Sequence, residues 1–199
     1  MRRVRVYVPV VVGILSLVAG AVLGFFLGIA AIEFALTTEL FEMPDIVQPR
    51  NLVRERFQLQ YPSNWKVDVD DENYDLDHTF KIESSKSAFV MFKLYDCKSN
   101  LEDLLQNQIS AFDELFDYPT ISNFERYGQF SGNGAILRGE SAEEHGGVPI
   151  TIKVFCFYEN NMTVTIIQYY PDFTLELVQD GLTLIENSFS LIASDETKW

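Results

Sequence analysis

Few residues in this sequence could support chemistry, and the only two histidines, His78 and His145, are the main candidates. His78 ends an acidic run, DVDDENYDLDH, and His145 lies in the stretch EEHGG. A hydrolytic centre needs a nucleophile, a base and an orienting group. The sequence has no GxSxG or HExxH motif, and both histidines fall in polar stretches typical of loops. We therefore predict no catalytic residues and no enzymatic activity.

The acidic run also fails the test for a calcium loop. A loop beginning at Asp68 would need glycine at its sixth position and glutamate at its twelfth, and these positions hold Asn73 and Thr79. A solvated turn is the simpler interpretation, so we predict no metal and no cofactor. Two weaker alternatives stay open, namely cation binding by Asp75, Asp77 and His78, or by Glu143 and His145.

Charge is divided unevenly along the 199 residues. Residues 1–32 contain three arginines and no acid, whereas residues 33–199 contain 12 of the 15 basic residues and all 29 acidic ones, a net charge of −17. Such a region repels phosphate backbones, so we predict that nucleic acid is not a partner. The length fits one ordinary domain with an appendage.

The appendage is an uncharged stretch over residues 6–32. As a helix it would be roughly 40 Å long, enough to cross a hydrocarbon core of about 30 Å. The apolar region of a cleavable signal peptide is shorter, about 7–15 residues. We therefore predict an uncleaved transmembrane helix at 6–32. Arginines in residues 1–5 and acids after the span place the N-terminus in the cytoplasm and the large domain outside.

Within the predicted span, Gly20, Gly24 and Gly28 recur every four residues. They share one face of a helix and would let a second helix approach closely. We predict that this face packs against a protein partner or a second copy of the chain. Glycine is also common in such helices without any partner, and that alternative stays open.

For residues 33–199 we predict a linker at 33–56, an extracytoplasmic domain at 57–193 and a tail at 194–199. Alternating or buried apolar stretches predict strands, and helical spacing predicts one helix after a capping box at Ser99 and Glu102 and another at about 173–187. Asn160 and Asn161 predict a hairpin turn. With so few crossover helices the sheet must be antiparallel, so we predict an α+β fold of about seven to eight strands and two main helices.

The stretch FQLQYPSNW at residues 57–65, followed by acids, resembles the start of the PsbP-like domain. Glycines in a later strand pair, a long hairpin, YYPDF before the last helix and Ser188-Phe189 at the end strengthen this resemblance, which covers about residues 55–193. The resemblance implies an antiparallel sheet flanked by helices, no shared catalytic machinery, and roles in binding and stabilising partner proteins. It carries no functional residue onto this chain.

Three further residues have structural interpretations. We predict that Trp65 fills the core beneath its turn and that Gly181 lets the last helix lie close to the sheet. Strand alternation places Cys156 in the core and Cys97 on the opposite face of the sheet, although a disulfide between them is an alternative in an oxidising compartment. Asn161 begins a glycosylation sequon.

The sequence therefore favours a non-enzymatic, single-pass accessory protein of a membrane complex, with an outer domain that binds a partner protein. A ligand- or metal-sensing extracytoplasmic domain is the second hypothesis, and an uncharacterised hydrolase is the third.

Overall fold

The computed structural model describes residues 43–69, 74–113, 115–141 and 147–192. The chain divides into a unit of residues 1–42 and a unit of residues 43–199. The predicted span, its glycine face, residues 33–42 of the linker and the tail lie outside the described residues. Within the described residues, no helix is both long enough and apolar enough to cross a membrane.

The described residues form ten strands and two helices, with a single 3-10 turn at Asp172–Thr174 before the second helix. The strands are β1 (Arg50–Val53), β2 (Phe57–Tyr61), β3 (Lys66–Asp68), β4 (Thr79–Glu83), β5 (Phe89–Tyr95), β6 (Phe116–Tyr127), β7 (Phe130–Ser141), β8 (Pro149–Glu159), β9 (Met162–Pro171) and β10 (Ser190–Leu191). The helices are α1 (Leu101–Asp113), between β5 and β6, and α2 (Leu175–Ser188), between β9 and β10.

The strands form two antiparallel sheets. Seven of them lie in the order β3-β4-β5-β9-β8-β7-β6, and the other three lie in the order β1-β2-β10. Every paired neighbour is antiparallel, as predicted. The hairpin between β8 and β9 turns at Asn160 and Asn161, which have φ of 51° and 62°. The predicted turn is therefore confirmed. Asparagine suits it because asparagine tolerates this left-handed region better than most side chains.

The large sheet buries both of its faces. One face packs against the small sheet and α2, in a core that includes Val90, Phe92 and Leu94 on alternate positions of β5. The opposite face packs against α1, in a second core around Ile152, Val154 and other residues of β8. The two apolar faces explain why β8 reads as a nearly continuous hydrophobic run rather than as an alternating strand.

A column of phenylalanine rings joins the two sheets. Phe57 of β2 stacks on Phe80 of β4, and Phe80 stacks on Phe92 of β5, each with ring centroids 4.8 Å apart. Phe189, just before β10, lies 4.8 Å from Phe92 and 6.3 Å from Phe57. Because these rings are fully or almost fully buried, the column supplies much of the contact between the sheets.

The predictions for Trp65 and Gly181 are confirmed. Trp65 is 3% exposed and lies beneath the turn that follows β2. A Cβ atom built on Gly181 would lie 2.6 Å from Cζ2 of Trp65 and 2.9 Å from Cγ of Pro62. Only glycine lets α2 come this close to the turn, which explains a residue that otherwise costs about 1 kcal/mol in a helix.

Four details differ from the sequence-based expectations, and the first is the number of strands, which is ten rather than about seven to eight. Residues 50–53, assigned to the linker, form β1, which pairs with β2 along its whole length. The strands form two sheets rather than one, because the small sheet lies on one face of the large one. Helix α1 is capped by Asn100, whose Oδ1 accepts a hydrogen bond from the Glu102 backbone N–H, and not by Ser99. The Ser99 backbone N–H instead donates to Oγ1 of Thr163.

We expect the Phe189→Ala variant to lose about 3–5 kcal/mol of unfolding free energy, since it empties a buried aromatic site at the junction of the sheets. The matched control is Phe173→Ala, because Phe173 is 71% exposed. It should change stability by no more than about 0.5 kcal/mol. Urea denaturation followed by circular dichroism measures both. Equal losses in the two variants would contradict the role assigned to the ring column.

Candidate interaction site at the hairpin end of the sheet

Four charged or ionisable side chains gather at one end of the domain. Nδ1 of His78 lies 2.9 Å from Oδ2 of Asp75, and Nε2 of His78 lies 3.6 Å from Oδ2 of Asp96. Asp96 also forms an ion pair with Arg56. The result is a chain of contacts from Asp75 through His78 and Asp96 to Arg56, which we call the ionic network.

Local structure sets the position of each member. Arg56 ends the turn between β1 and β2, and Asp96 directly follows β5. His78 directly precedes β4, where its backbone N–H donates to the Asp75 carbonyl at 2.9 Å and its own carbonyl accepts from Leu94 at 2.7 Å. These backbone hydrogen bonds hold the imidazole at the start of β4, in the region where a solvated turn was predicted.

A shallow, open pocket of about 250 Å³ lies beside the network. Arg56 and Asp96 form part of its wall together with the β8–β9 hairpin tip. Apolar surface comes from Met162 and from Ile192, whose backbone N–H donates to the Arg56 carbonyl at 2.7 Å. Pockets for drug-sized molecules usually enclose about 300–1,000 Å³ and bury most of the ligand. This pocket is smaller and open, which suits the side chain of a docked protein better than an enclosed small molecule.

Exposure and charge also favour recognition over catalysis. The four side chains of the network are 37–56% exposed. Nearby, Nζ of Lys98 lies 5.4 Å from the centroid of the Tyr158 ring. Exposed ions are well solvated, so each pair contributes little to stability. Positive and negative groups around a pocket can instead select a partner with a complementary pattern of charge.

The hydrogen bond from His78 lowers the pKa of the Asp75 carboxyl below its ordinary value of 3.8, and the Asp77 backbone N–H, which donates at 3.0 Å, lowers it further. Both bonds favour the ionised carboxylate. Within the described residues, no group of three His, Cys, Asp or Glu side chains is placed to hold a metal ion.

The other residues singled out from sequence lie apart from this network or outside the described residues. Glu143 and His145 lie outside them, as do Gly20, Gly24 and Gly28. Cys97 and Cys156 are both free, with Cys97 exposed and Cys156 buried in the core under α1.

Sequence reasoning found His78 and Asp75 but missed Arg56 and Asp96. Arg56 and Asp96 are 40 positions apart in the chain, and nothing in the local pattern of either links them. No local sequence signal could have found the pair, because its residues adjoin β2 and β5, which belong to different sheets.

Comparison with known proteins supports the fold. No family model matches the sequence, and no curated protein matches it significantly. The Ran-binding protein Mog1p of Saccharomyces cerevisiae is similar in structure, with 11% identity, a TM-score of 0.50, and coverage of 75% of this chain and 96% of Mog1p. A Mog1 point mutant gives 10% identity, a TM-score of 0.51, and coverage of 74% and 97%.

Two further structures are similar at lower TM-scores. The cyanobacterial PsbP of Synechocystis sp. PCC 6803 shares 9% identity at a TM-score of 0.46, with coverage of 73% of this chain and 92% of that one. A Bacteroides thetaiotaomicron protein shares 12% identity at a TM-score of 0.44, and the match covers 72% of this chain but only 47% of that protein.

These identities show the fold alone. The fold is similar to that of Mog1, and the resemblance inferred from the sequence is confirmed at the level of the fold alone.

We expect the Asp75 pKa to rise toward its ordinary value in the His78→Ala variant, because this variant removes the imidazole hydrogen bond that contributes most to lowering it. The stability contributed by this group is fully present above pH 3.8 and is lost as the pH falls through the lowered pKa of the folded state. His78→Gln, whose neutral amide can still donate a hydrogen bond, separates bonding from charge. NMR titration measures the Asp75 pKa in the parent, in His78→Ala and in His78→Gln. An unchanged Asp75 pKa in His78→Ala would contradict the hydrogen bond between His78 and Asp75.

Proposed function

We propose that the chain is a non-enzymatic, single-pass membrane protein whose extracytoplasmic domain binds a partner protein as an accessory subunit of a membrane complex. The observation that supports partner binding most directly is the half-exposed ionic network around the open pocket. A rigid sheet positions these groups, but the groups themselves lie in turns, which is the usual arrangement of a recognition surface.

The fold agrees with this proposal. The yeast protein of the same fold is described as a Ran-binding protein, so the fold can carry protein recognition in at least that case. We extend to this chain only the class of activity, which is protein binding, and not the partner of the yeast protein. A small-molecule sensor is less well supported, because the pocket near the network is open and is only about 250 Å³ in volume.

Anchoring rests on the sequence of residues 6–32. The uncharged run is long enough to span a bilayer, and the arginines before it favour a cytoplasmic N-terminus. The face formed by Gly20, Gly24 and Gly28 would let the helix dock on another helix of the complex or on a second copy. The helix would hold the chain in the complex while the outer domain engages the partner.

The native sequon provides a test of orientation. Asn161 lies exposed at the tip of the β8–β9 hairpin and is followed by Met162 and Thr163. When the full chain is translated in the presence of endoplasmic-reticulum microsomes, we expect one glycan to be added, since the domain would enter the lumen. The Asn161→Gln variant should lose the glycan, and protease added outside should leave the domain intact. Digestion of the domain by that protease would show that the orientation is wrong.

Two double variants test partner binding in the full chain. Gly24→Ile with Gly28→Ile should keep membrane insertion, because Ile is more apolar than Gly, but should reduce assembly. Arg56→Ala with Asp96→Ala removes the ion pair at the pocket and should weaken contact with the partner, because arginine is enriched among residues that dominate binding. Co-purification in mild detergent measures both effects.

The matched control is Lys66→Ala with Glu83→Ala, which removes one positive and one negative side chain at a paired position of β3 and β4. We expect this variant to assemble like the parent, since neither residue belongs to the ionic network. If both double variants also assemble like the parent, the two surfaces are not the ones that bind.

A further inference from the structure

An exposed apolar segment lies where the chain enters the described domain. Met43 is 50% exposed, Ile46 is 42% exposed and Val47 is 86% exposed. Seven large hydrophobic side chains are exposed in the described part of the chain, and three of them fall within the five residues 43–47. Single exposed apolar residues are ordinary, but a cluster commonly marks an interaction surface.

The segment is held in place despite its exposure. Asp45 is the centre of the attachment: its carbonyl accepts from the Ser63 backbone N–H at 3.0 Å, and its Oδ2 accepts from Oγ of Ser63 at 2.5 Å. Its own backbone N–H donates to Oδ1 of Asn64 at 2.9 Å. Nδ2 of Asn64 in turn donates to the Met43 carbonyl at 2.8 Å.

These four hydrogen bonds attach residues 43–47 to the turn after β2, and Pro44 between Met43 and Asp45 is buried. The hydrogen bond from Ser63 also lowers the pKa of the Asp45 carboxyl below its ordinary value, because it favours the ionised carboxylate. A segment that is already ordered loses little conformational entropy on binding. Its outward apolar side chains are therefore pre-arranged for contact.

We propose that residues 43–47 dock on the extracytoplasmic part of a membrane protein, at an apolar surface bordered by lysine or arginine. This inference rests on the proposed function, since it assumes the anchor at 6–32. The charge of the chain that leads into the segment favours such a partner. Residues 33–49 contain four acids, Glu33, Glu39, Glu42 and Asp45, and no lysine or arginine. An apolar segment in such a stretch fits a basic rim through complementary charge.

The same composition argues against a lipid surface. Segments that lie in the bilayer interface are typically rich in lysine and arginine on the polar side and carry tryptophan or similar anchors. Residues 43–47 have neither, and their acid would be repelled by anionic headgroups. A second copy is also disfavoured, because it would bring the same acidic stretch against itself.

The tether limits where the partner can lie. Ten residues, 33–42, separate the end of the predicted span from Met43, and fully extended they reach at most about 35 Å. The docking surface must therefore belong to a part of the partner close to the outer membrane surface. Because the anchor confines both proteins to one membrane, the effective concentration is high, and a small apolar contact is sufficient.

Site-specific photo-crosslinking in native membranes tests the inference. A benzophenone amino acid is placed at Val47, or at Ile121 as the control, since Ile121 is 48% exposed on β6 and belongs to neither the segment nor the ionic network. We expect a protein adduct at position 47 in several-fold higher yield than at position 121. Mass spectrometry should place the crosslinked peptide in an extracytoplasmic segment that contains both apolar and basic residues.

Other adducts would overturn the inference. A lipid adduct at position 47, an adduct with a second copy of this chain, or a crosslinked peptide without basic residues would each show a different occupant. Equal yields at positions 47 and 121 would show that the segment is not a preferred contact.

A second measurement separates this inference from the proposed function. The Ile46→Ser, Val47→Ser double variant leaves the four attaching hydrogen bonds intact, because none involves either side chain. Retention of the partner on the full chain should fall at least about tenfold, because the variant removes two outward apolar side chains of the proposed contact. Ile121→Ser, which changes an apolar side chain of similar exposure away from both surfaces, should retain the partner like the parent.

If the Ile46→Ser, Val47→Ser variant retains the partner fully, the docking inference is wrong and the proposed function stands. If the parent chain itself co-purifies with no protein, the proposed function fails and the inference fails with it.

Discussion

The packing of Phe189 between the two sheets is the contact on which the rest of the domain depends. The small sheet has only six paired positions, four between β1 and β2 and two between β10 and β2. A sheet of this size is marginal in water unless it buries an apolar face. Phe189 supplies that burial between α2 and β10, with its ring against Phe57 on one sheet and Phe92 on the other. The alternating side chains of β2 complete the contact by burying Phe57, Leu59 and Tyr61.

The same contact determines where the ionic network lies. Arg56 directly precedes Phe57 of the small sheet, and Asp96 directly follows β5, the strand of the large sheet that contributes Phe92 to the ring column. The two charged residues are therefore carried by the two sheets that the rings join, and their ion pair bridges the sheets at the solvent-exposed end. Because an exposed ion pair adds little stability, the buried rings position the charges and not the reverse. The surface groups can therefore be changed without loss of the fold, which is what a recognition surface requires.

The sequence predicted the parts of the fold that depend on local pattern. The strands from β4 to β9 and both helices follow from apolar spacing, and Gly181 could be assigned because a glycine inside an amphipathic helix needs a close neighbour. Strand β1 could not be found in this way, since only Leu52 of its four residues is buried. The division into two sheets and the Arg56–Asp96 pair also escaped prediction, because both depend on contacts between residues far apart in the chain. Local propensity carries no information about such contacts.

The geometry of β2 has a consequence for any partner. Arg56 lies just before this strand, and the turn that attaches residues 43–47 lies just after it. Five residues of strand at about 3.3 Å each separate the two surfaces by roughly 17 Å. Both are fixed to one strand, itself held by the ring column, so their separation cannot change without breaking the core. A partner that engages both must present matching contacts at that spacing, and a partner that engages only one leaves the other free for a second protein.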